Sequence, residues 1–359
     1  MINVSLLSRR AVGFLKPLSH WNVQGVSPDS RSMKKYCYLE IKDRFRFTPV
    51  QTIKSVCRRR PSLPFSSTPI VSLKVVSPAM ANSCKNDDVP PMLGPNSALR
   101  DPCPTVPHVV LNKEMIGSKQ VFVIGDVHGC YDELQELLDK AGIGTVNPNV
   151  IVVFVGDLIN KGPKNGEVLA LVRRLGAYSV RGNHDQKCVS KMMFMRQGGR
   201  VEDKYKWLGT LTDEDYRHLV ELPYTISLPS LQSIVVHACL VPGIPLVSQD
   251  VAHLMVMRNL IKQNVGGTSS SGGNPPRYIP FKLPIRGEPW ASLWPGPDHV
   301  YFGHDAVRGL QRYEYATGLD TGCVYGRRLT GIFLTGEKQL IQVPAKKTYC
   351  GPDGPLVVD

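Results

Sequence analysis

The sequence contains no run of about 18 consecutive apolar residues, and its first residues lack the apolar core of a secretory signal. We therefore expect no membrane-spanning helix and an intracellular protein. None of the nine cysteines forms a C-x-x-C pair, and the cysteines are spread widely along the chain. This spacing argues against a disulfide framework and against a zinc knuckle.

Acidic residues are scarce in the first part of the chain. Residues 1–80 contain 14 lysines and arginines against three acidic residues, and they carry 11 of the 13 net positive charges. The remaining 279 residues are close to neutral. A basic flank on a nearly neutral body argues against a broad DNA-binding face on the folded part.

The N-terminal segment has the composition of a transit peptide, with Arg9, Arg10 and Lys16 and no acid in residues 1–28. A disordered basic tail, or an upstream extension with Met80 as a shorter start, are the alternatives. The location is thus expected to be cytoplasmic, mitochondrial or in another organelle. We predict a largely disordered basic extension and linker over 1–110, a catalytic domain over 111–345 and a tail over 346–359.

An alternation of apolar strands and amphipathic helices begins at residue 120. Strands are predicted at 120–124, 150–155, 177–180, 233–236, 299–302 and 328–334. The first helix has Leu134, Leu137, Leu138 and Ala141 on one face, a second helix is capped by Asn165, and a third covers 212–222 with Thr212 or Asp213 as its cap. A Gly- and Ser-rich insertion covers 266–273. The pattern predicts an α/β sheet with its site along one edge.

Polar side chains follow five of these strands directly, in the motifs GDVHG, GDLIN, GNHD, VVHAC and FGHD. The candidate ligands in these loops are Asp126, His128, Asp157, Asn183, His184, His237 and His304. Carboxylate, imidazole and amide donors without thiolates suit Mn, Fe, Zn, Co or a similar divalent ion. We interpret Cys130, Cys188, Cys239 and Cys323 as small buried hydrophobes.

This series of motifs resembles the calcineurin-like metallophosphoesterases over about residues 119–335. It is most similar to the eukaryotic ApaH-like phosphatases, which are related to bacterial symmetrical bis(5'-nucleosyl)-tetraphosphatases and to protein Ser/Thr phosphatases. The segments EPWASLWPGPDHVYFGHD and GLDTGCVYG belong to the resemblance. It implies an α/β fold in which a β-sandwich is flanked by helices, an αββα arrangement.

The resemblance also implies roles for the site residues. Two divalent metal ions would be bound by the set Asp126, His128, Asp157, Asn183, His237 and His304, with Asp157 bridging both. A hydroxide between the ions would attack phosphorus in line. His184 would protonate the leaving oxygen, and this role requires a partner that holds its tautomer.

Two positions depart from the protein phosphatases, which have Asp-Arg where this chain has Asn160-Lys161. Asp185 is then the expected partner of His184, and Lys161 and Arg181 are the expected substrate-binding cations. A lysine is a point charge, so it grips phosphate less directionally than a planar guanidinium does. The pair therefore disfavours a protein phosphatase.

The leading hypothesis is a hydrolase of phosphoanhydride bonds in a dinucleoside polyphosphate, inorganic polyphosphate or a capped RNA 5′ end. A protein Ser/Thr phosphatase is the alternative, and an inactive nucleotide-binding module is the remote one. The complete ligand set weighs against the inactive module. The expected partner is a phosphorylated small molecule, a polyphosphate or an RNA end, without DNA, and the oligomeric state stays open.

Overall fold

A computed structural model describes residues 101–144, 147–263 and 276–351 of the chain. Its strands are β1 His108–Val110, β2 Gln120–Ile124, β3 Val150–Phe154, β4 Tyr178–Ser179, β5 Thr225–Leu228, β6 Ser233–Val236, β7 Asn259–Gln263, β8 Arg277–Phe281, β9 Glu288–Pro289, β10 His299–Phe302, β11 Gln311–Arg312, β12 Ala316–Gly318, β13 Arg328–Phe333 and β14 Leu340–Pro344. Its α-helices are α1 Lys113–Ile116, α2 Tyr131–Lys140, α3 Asn165–Arg174, α4 Asn183–Arg196, α5 Asp213–Val220 and α6 Val251–Val256. Short 3-10 helices cover Asp203–Thr210, Pro229–Leu231, Leu246–Ser248 and Trp290–Leu293.

The strands form two large sheets and one small sheet. The first sheet has the order β14-β13-β2-β3-β4, and β2, β3 and β4 run parallel to one another. The second has the order β1-β5-β6-β10-β12-β11, and β6, β10 and β12 run parallel. The small sheet has the order β8-β7-β9. Each large sheet therefore places the carboxyl ends of three parallel strands at one edge.

A buried apolar layer joins the two large sheets. Val123 and Val153 of the first sheet belong to the same cluster as Ile226 and Tyr301 of the second. The opposite face of the first sheet packs against α2 and α3. The buried side chains of these helices include Leu134, Leu137, Leu138, Val168 and Val172. The outer cluster of the second sheet includes Leu254 of α6 and Trp290. This confirms the predicted α/β sandwich with helices outside its sheets.

Most predicted elements are present, with local differences. The GNHD segment was expected to be a loop, but Asn183 begins α4, so Asn183 and His184 lie in the first turn of a helix. Thr212 caps α5, as predicted. Asn165 does not cap α3: Lys164 is the cap, and the Asn165 amide oxygen instead accepts a hydrogen bond from the Asn160 N–H at 2.8 Å.

The folded region begins before the predicted boundary at residue 111. Strand β1 pairs in parallel with β5, and the Thr105 N–H donates to the Glu221 carboxylate at 3.0 Å. Residues beyond 345 also contact the fold, since the Tyr349 hydroxyl donates to Glu133 Oε1 at 2.8 Å. Chain segments at both edges of the expected domain thus contribute to it.

Several expectations concern residues beyond this description. The basic N-terminal segment up to residue 100, the Gly- and Ser-rich insertion and the end of the C-terminal tail lie outside the described residues. Among the helices that the structure does describe, none is long and apolar enough to cross a membrane.

Candidate functional site

The edge formed by the parallel strands carries the predicted ligands. Asp126 and His128 follow β2, Asp157 follows β3, and Asn183 begins the helix that follows β4. In the second sheet, His237 follows β6 and His304 follows β10. All six side chains lie in one cluster.

Asp157 lies at the centre of this cluster. Its Oδ2 atom is 3.5 Å from His128 Nε2 and 3.5 Å from His237 Nε2. Its Oδ1 atom accepts the backbone N–H of His184 at 2.8 Å. Asp157 belongs to two groups of possible ligands. It lies with His128 and His184 in one group and with Asp126 and His237 in the other. The ligand atoms of each group lie within 4.8 Å of one another. This shared carboxylate is suited to contact two cations.

Asn183 joins the two histidines of the second sheet. Its Oδ1 atom is 3.0 Å from His237 Nε2 and 2.9 Å from His304 Nδ1. The other nitrogen of each ring faces a backbone carbonyl, that of Val155 for His237 at 2.8 Å and that of Val256 for His304 at 3.1 Å. Because these carbonyls take the single proton of each neutral ring, the nitrogens that face Asn183 carry lone pairs. Lone pairs that converge without a hydrogen between them fit a cation.

Burial shifts the pKa of every titratable group in this cluster. Desolvation, together with the nearby charges of Asp320 and Asp157, raises the pKa of Asp126 well above its usual range. Desolvation also raises the pKa of Asp157 to about 7 and lowers the pKa of His237 to about 4. Buried carboxylates that repel one another, beside neutral imidazoles, are a donor set that a divalent cation would stabilise.

The backbone of the site is held in unusual conformations. Left-handed φ values occur at His128, Asp157, Asn160, Lys161 and His304, between 49° and 78°. Such conformations cost of order 1 kcal/mol each at non-glycine residues and concentrate at functional sites. Close approach explains Gly303, where an added Cβ would lie 2.0 Å from Asp126 Oδ1.

His184 has Asn160, rather than Asp185, as its side-chain partner. The Asn160 amide group lies 2.8 Å from His184 Nδ1. The Asp185 carboxylate accepts the backbone N–H groups of Ile159, at 3.3 Å, and Gly182, at 3.0 Å. Asp185 thus supports the two loops on either side of the site. Desolvation, with the nearby charge of Lys161 as the next cause, lowers the pKa of His184 to about 2.

Lys161 lies in the site, and Arg181 does not. The Lys161 ammonium donates to the Tyr325 hydroxyl and lies 4.9 Å from the centre of the Tyr325 ring. Arg181 is fully buried, and its guanidinium donates to the backbone carbonyls of Pro102 and Val220 and to the Gln186 side chain. The substrate-binding role expected for Arg181 is therefore inconsistent with its position, because the side chain is fully buried and both of its terminal nitrogens donate inside the fold.

A cavity of about 330 Å³ opens over the cluster. Its wall includes the ligand candidates His128, Asp157, Asn183 and His304 together with His184. Its cationic side chains are Lys161, Lys187, Arg258 and Lys282. This cavity combines a possible cation site with positive side chains, which is the charge arrangement that a phosphate ester or anhydride requires.

Sequence reasoning missed several residues of this wall, and two of them lie close to the ligands. Asp320 is buried near the ligand carboxylates, and desolvation raises its pKa. It follows β12, so the rule that identified the other ligands would have identified it if that three-residue strand had been recognised. Arg258 lies between α6 and β7, and its guanidinium donates to the His304 carbonyl at 3.1 Å. No motif in the sequence marks that arginine.

Known proteins resemble this chain in both sequence and structure. Residues 119–308 match the calcineurin-like phosphoesterase family. The asymmetrical bis(5'-nucleosyl)-tetraphosphatase PrpE of Oceanobacillus iheyensis is 28% identical over 260 residues, which cover 64% of this chain and 94% of that protein. The symmetrical bis(5'-nucleosyl)-tetraphosphatase of Coxiella burnetii is 29% identical over 278 residues, covering 64% of this chain and 92% of that protein.

A solved structure supports the same relationship. It is described as the crystal structure of a diadenosine tetraphosphatase, an assignment its authors made provisionally. That protein is 33% identical to this chain, and the alignment covers 69% of this chain and all of the other, with a TM-score of 0.57. The family match spans more than half of the chain and contains the whole set of predicted ligands. The chain belongs to the calcineurin-like phosphoesterase family of hydrolases.

Proposed function

We propose that the protein hydrolyses phosphoanhydride bonds in dinucleoside polyphosphates or related polyphosphates, with two divalent cations as cofactors. Members of the calcineurin-like phosphoesterase family bind divalent metals. The residues that would hold the cations here are Asp126, His128, Asp157, Asn183, His237 and His304. The convergence of lone pairs on the Asn183 amide oxygen supports this set. When bound, the cations would acidify water into a nucleophile near neutral pH and neutralise phosphoryl charge.

The single observation that carries the substrate class is the contact between His184 and Asn160. The Asn160 amide can donate to His184 Nδ1, which places the proton of the neutral ring on Nε2. An asparagine adds no negative charge, so it does not stabilise an imidazolium as an aspartate would. His184 is thus arranged to donate a hydrogen bond from Nε2 rather than to transfer a proton from a charged ring.

That donor suits a phosphate leaving group. A terminal phosphate has a second pKa of about 6, so it leaves as a stable anion near neutral pH. A serine or threonine alkoxide is far more basic and needs nearly complete protonation as it leaves. The neutral His184 therefore favours cleavage of an anhydride over cleavage of a phosphoserine ester.

Lys161 adds to this preference. Its ammonium is held beside Tyr325 at the cavity wall, where it can interact with any phosphoryl group of a chain. A protein phosphatase gains from a planar guanidinium that fixes one phosphomonoester in one orientation. A polyphosphate presents charge along its whole length, for which a point charge is sufficient. The protein Ser/Thr phosphatase is accordingly the less supported alternative.

A comparison of kcat/KM among four substrates tests the proposal. The full chain, supplied with Mn²⁺, would be assayed on diadenosine tetraphosphate, inorganic polyphosphate, a capped RNA and a phosphopeptide. We expect at least one anhydride substrate to exceed the phosphopeptide in kcat/KM by about tenfold or more, which corresponds to about 1.4 kcal/mol in the transition state. The variants Asn160→Asp and Lys161→Arg should narrow that ratio. Comparable kcat/KM values for all four wild-type substrates would contradict the proposal.

A further inference from the structure

A second cavity of about 490 Å³ lies next to the first and also has His184 in its wall. It shares Lys161, His184 and Lys187 with the cavity over the predicted ligands. Its own wall includes Lys204, Tyr205 and Trp207. A volume of several hundred cubic ångströms is in the range of pockets that bind small molecules. The two cavities together therefore form a continuous surface with His184 at the boundary.

The wall of the second cavity is built from α4 and the 3-10 helix Asp203–Thr210. Lys187 follows His184 by three residues, so both side chains lie on one face of α4. The next turn of α4 carries Lys191, which pairs with Glu202 at 2.9 Å and so ties the start of the 3-10 helix to α4. The pair therefore links the two elements that carry Lys187, Lys204 and Trp207, which line the same cavity.

The chemistry of this wall is cationic and aromatic. Lys187 and Lys204 lie 5.5 Å and 5.4 Å from the centre of the buried Tyr205 ring. Within the part of the chain that the structure describes, neither lysine has a carboxylate oxygen within 4 Å. Trp207 is half-buried and packs against the core on one side while it lines the cavity. Lysines beside an accessible indole suit a phosphate attached to a planar base.

The position of His184 sets which part of a substrate would enter this cavity. On the proposed function, His184 donates to the oxygen that leaves phosphorus, so the group beyond that oxygen lies next to His184. The second cavity is the neighbouring space that also has His184, Lys161 and Lys187 in its wall. We propose that it is the subsite for the leaving nucleotide, with its phosphates at Lys187 and Lys204 and its base against Trp207. This inference rests on the proposed function and names the part of the substrate that sets its affinity.

The test separates recognition of the base from recognition of phosphate. Diadenosine tetraphosphate and inorganic tripolyphosphate would be compared as substrates of the full chain with Mn²⁺. For Trp207→Leu we expect kcat/KM for diadenosine tetraphosphate to fall about tenfold through KM, which is typical of losing one stacked base. Tripolyphosphate has no base, so its kcat/KM should change less than about twofold, and Trp207→Phe should restore most of the loss.

A charge variant and its neighbour provide the matched control. Lys204→Gln should raise KM for diadenosine tetraphosphate several-fold. Lys206 is two residues away in the same 3-10 helix, pairs with Asp203 at 2.8 Å and lines neither cavity, so Lys206→Gln should leave KM unchanged. Equal effects of the two lysine variants would overturn the assignment of Lys204.

A binding measurement distinguishes failure of the subsite from failure of the proposed function. ADP would be titrated into the full chain in EDTA, and we expect Trp207→Leu to weaken its affinity about tenfold. Trp207-dependent ADP binding without any anhydride hydrolysis by the wild type would refute the proposed function and retain the subsite. ADP affinity and KM values unaffected by Trp207→Leu would overturn the subsite. Equal losses of kcat on both substrates would also overturn it, because they would indicate a structural role for Trp207.

Discussion

Replacement of Asp157 by asparagine should have opposite effects on stability with and without metal. In the metal-free fold, desolvation raises the pKa of Asp157 from 3.8 to about 7. Because the folded-state pKa exceeds that of the unfolded chain, the ionised carboxylate destabilises the fold. This penalty reaches about 4 kcal/mol above pH 7 and diminishes as the pH falls from about 7 to about 4. Asp157→Asn should remove it while keeping the bond from the His184 N–H.

The assay is urea unfolding of the full chain in EDTA at pH 5 and pH 8. Asp157→Asn should be stabilised relative to the wild type, and the advantage should be larger at pH 8 by roughly 2 to 3 kcal/mol. The histidines act in the opposite direction. The pKa of His237 is lowered to about 4, so the free energy of unfolding falls as the pH drops from about 6.5 to about 4. They are present in both proteins, so they largely cancel in the difference.

Addition of Mn²⁺ should reverse the order. Cations at 1,000 times their dissociation constants would stabilise the folded state by about 4 kcal/mol per site, or about 8 kcal/mol for two sites, which exceeds the penalty of about 4 kcal/mol. Asp157→Asn should lose much of this gain together with turnover. Asp139→Asn, at an exposed position of α2, is the control for removal of an acidic side chain. The reasoning would be refuted if Asp157→Asn gained nothing at pH 8 in EDTA, or if it bound two equivalents of metal with normal activity.

Three further substitutions test other parts of the site. His184→Ala removes the Nε2 donor, so it should leave the metal content unchanged and lower kcat on diadenosine tetraphosphate by about 10–100-fold, the worth of one hydrogen bond to a charged group. Loss of metal would contradict the role given to His184. Gly303→Ala would place a Cβ 2.0 Å from Asp126 Oδ1, so we expect this variant to lose bound metal. Elemental analysis measures the metal content, and a full metal content would argue against this contact. Arg181→Met leaves the buried Pro102 and Val220 carbonyls without their donor and should lower the free energy of unfolding by about 3 kcal/mol. KM should stay constant for that variant, and a raised KM at unchanged stability would restore the substrate-binding role.

The strands that carry most of the ligands, and most of the site itself, follow from the sequence because the ligands come after apolar strands. Asp126, Asp157 and His304 each follow closely on a mostly buried strand, so apolar runs locate the strand ends and the ligands with them. Asp320 escaped this reasoning because β12, with the sequence Ala-Thr-Gly, has no apolar run. Strand β12 forms because it pairs with β10, and its own composition does not predict a strand.

Residues whose roles depend on distant parts of the chain could not be assigned from motifs. Arg181 stands next to GNHD, where a cation suggests phosphate binding, but its partners Pro102 and Val220 are 79 and 39 residues away in sequence. Asp185 is adjacent to His184 in sequence, yet helical geometry directs its carboxylate back to the N–H of Gly182 at the start of α4. His184 and Asp185 are adjacent in sequence, yet the His184 side chain contacts Asn160 in the site while the Asp185 carboxylate binds backbone N–H groups.

The Asn160-Lys161 pair shows how the fold changes the meaning of a substitution. From sequence, Lys161 is a mobile point charge, but the structure holds its ammonium against the Tyr325 hydroxyl and ring. Both Asn160 and Lys161 have left-handed backbone, and the Asn165 side chain fixes this turn through the Asn160 N–H. The ammonium thus has a defined position without the directional fork of a guanidinium. A fixed charge without a fixed orientation favours a substrate whose phosphoryl groups are equivalent in charge, because any of them can occupy the position beside Lys161.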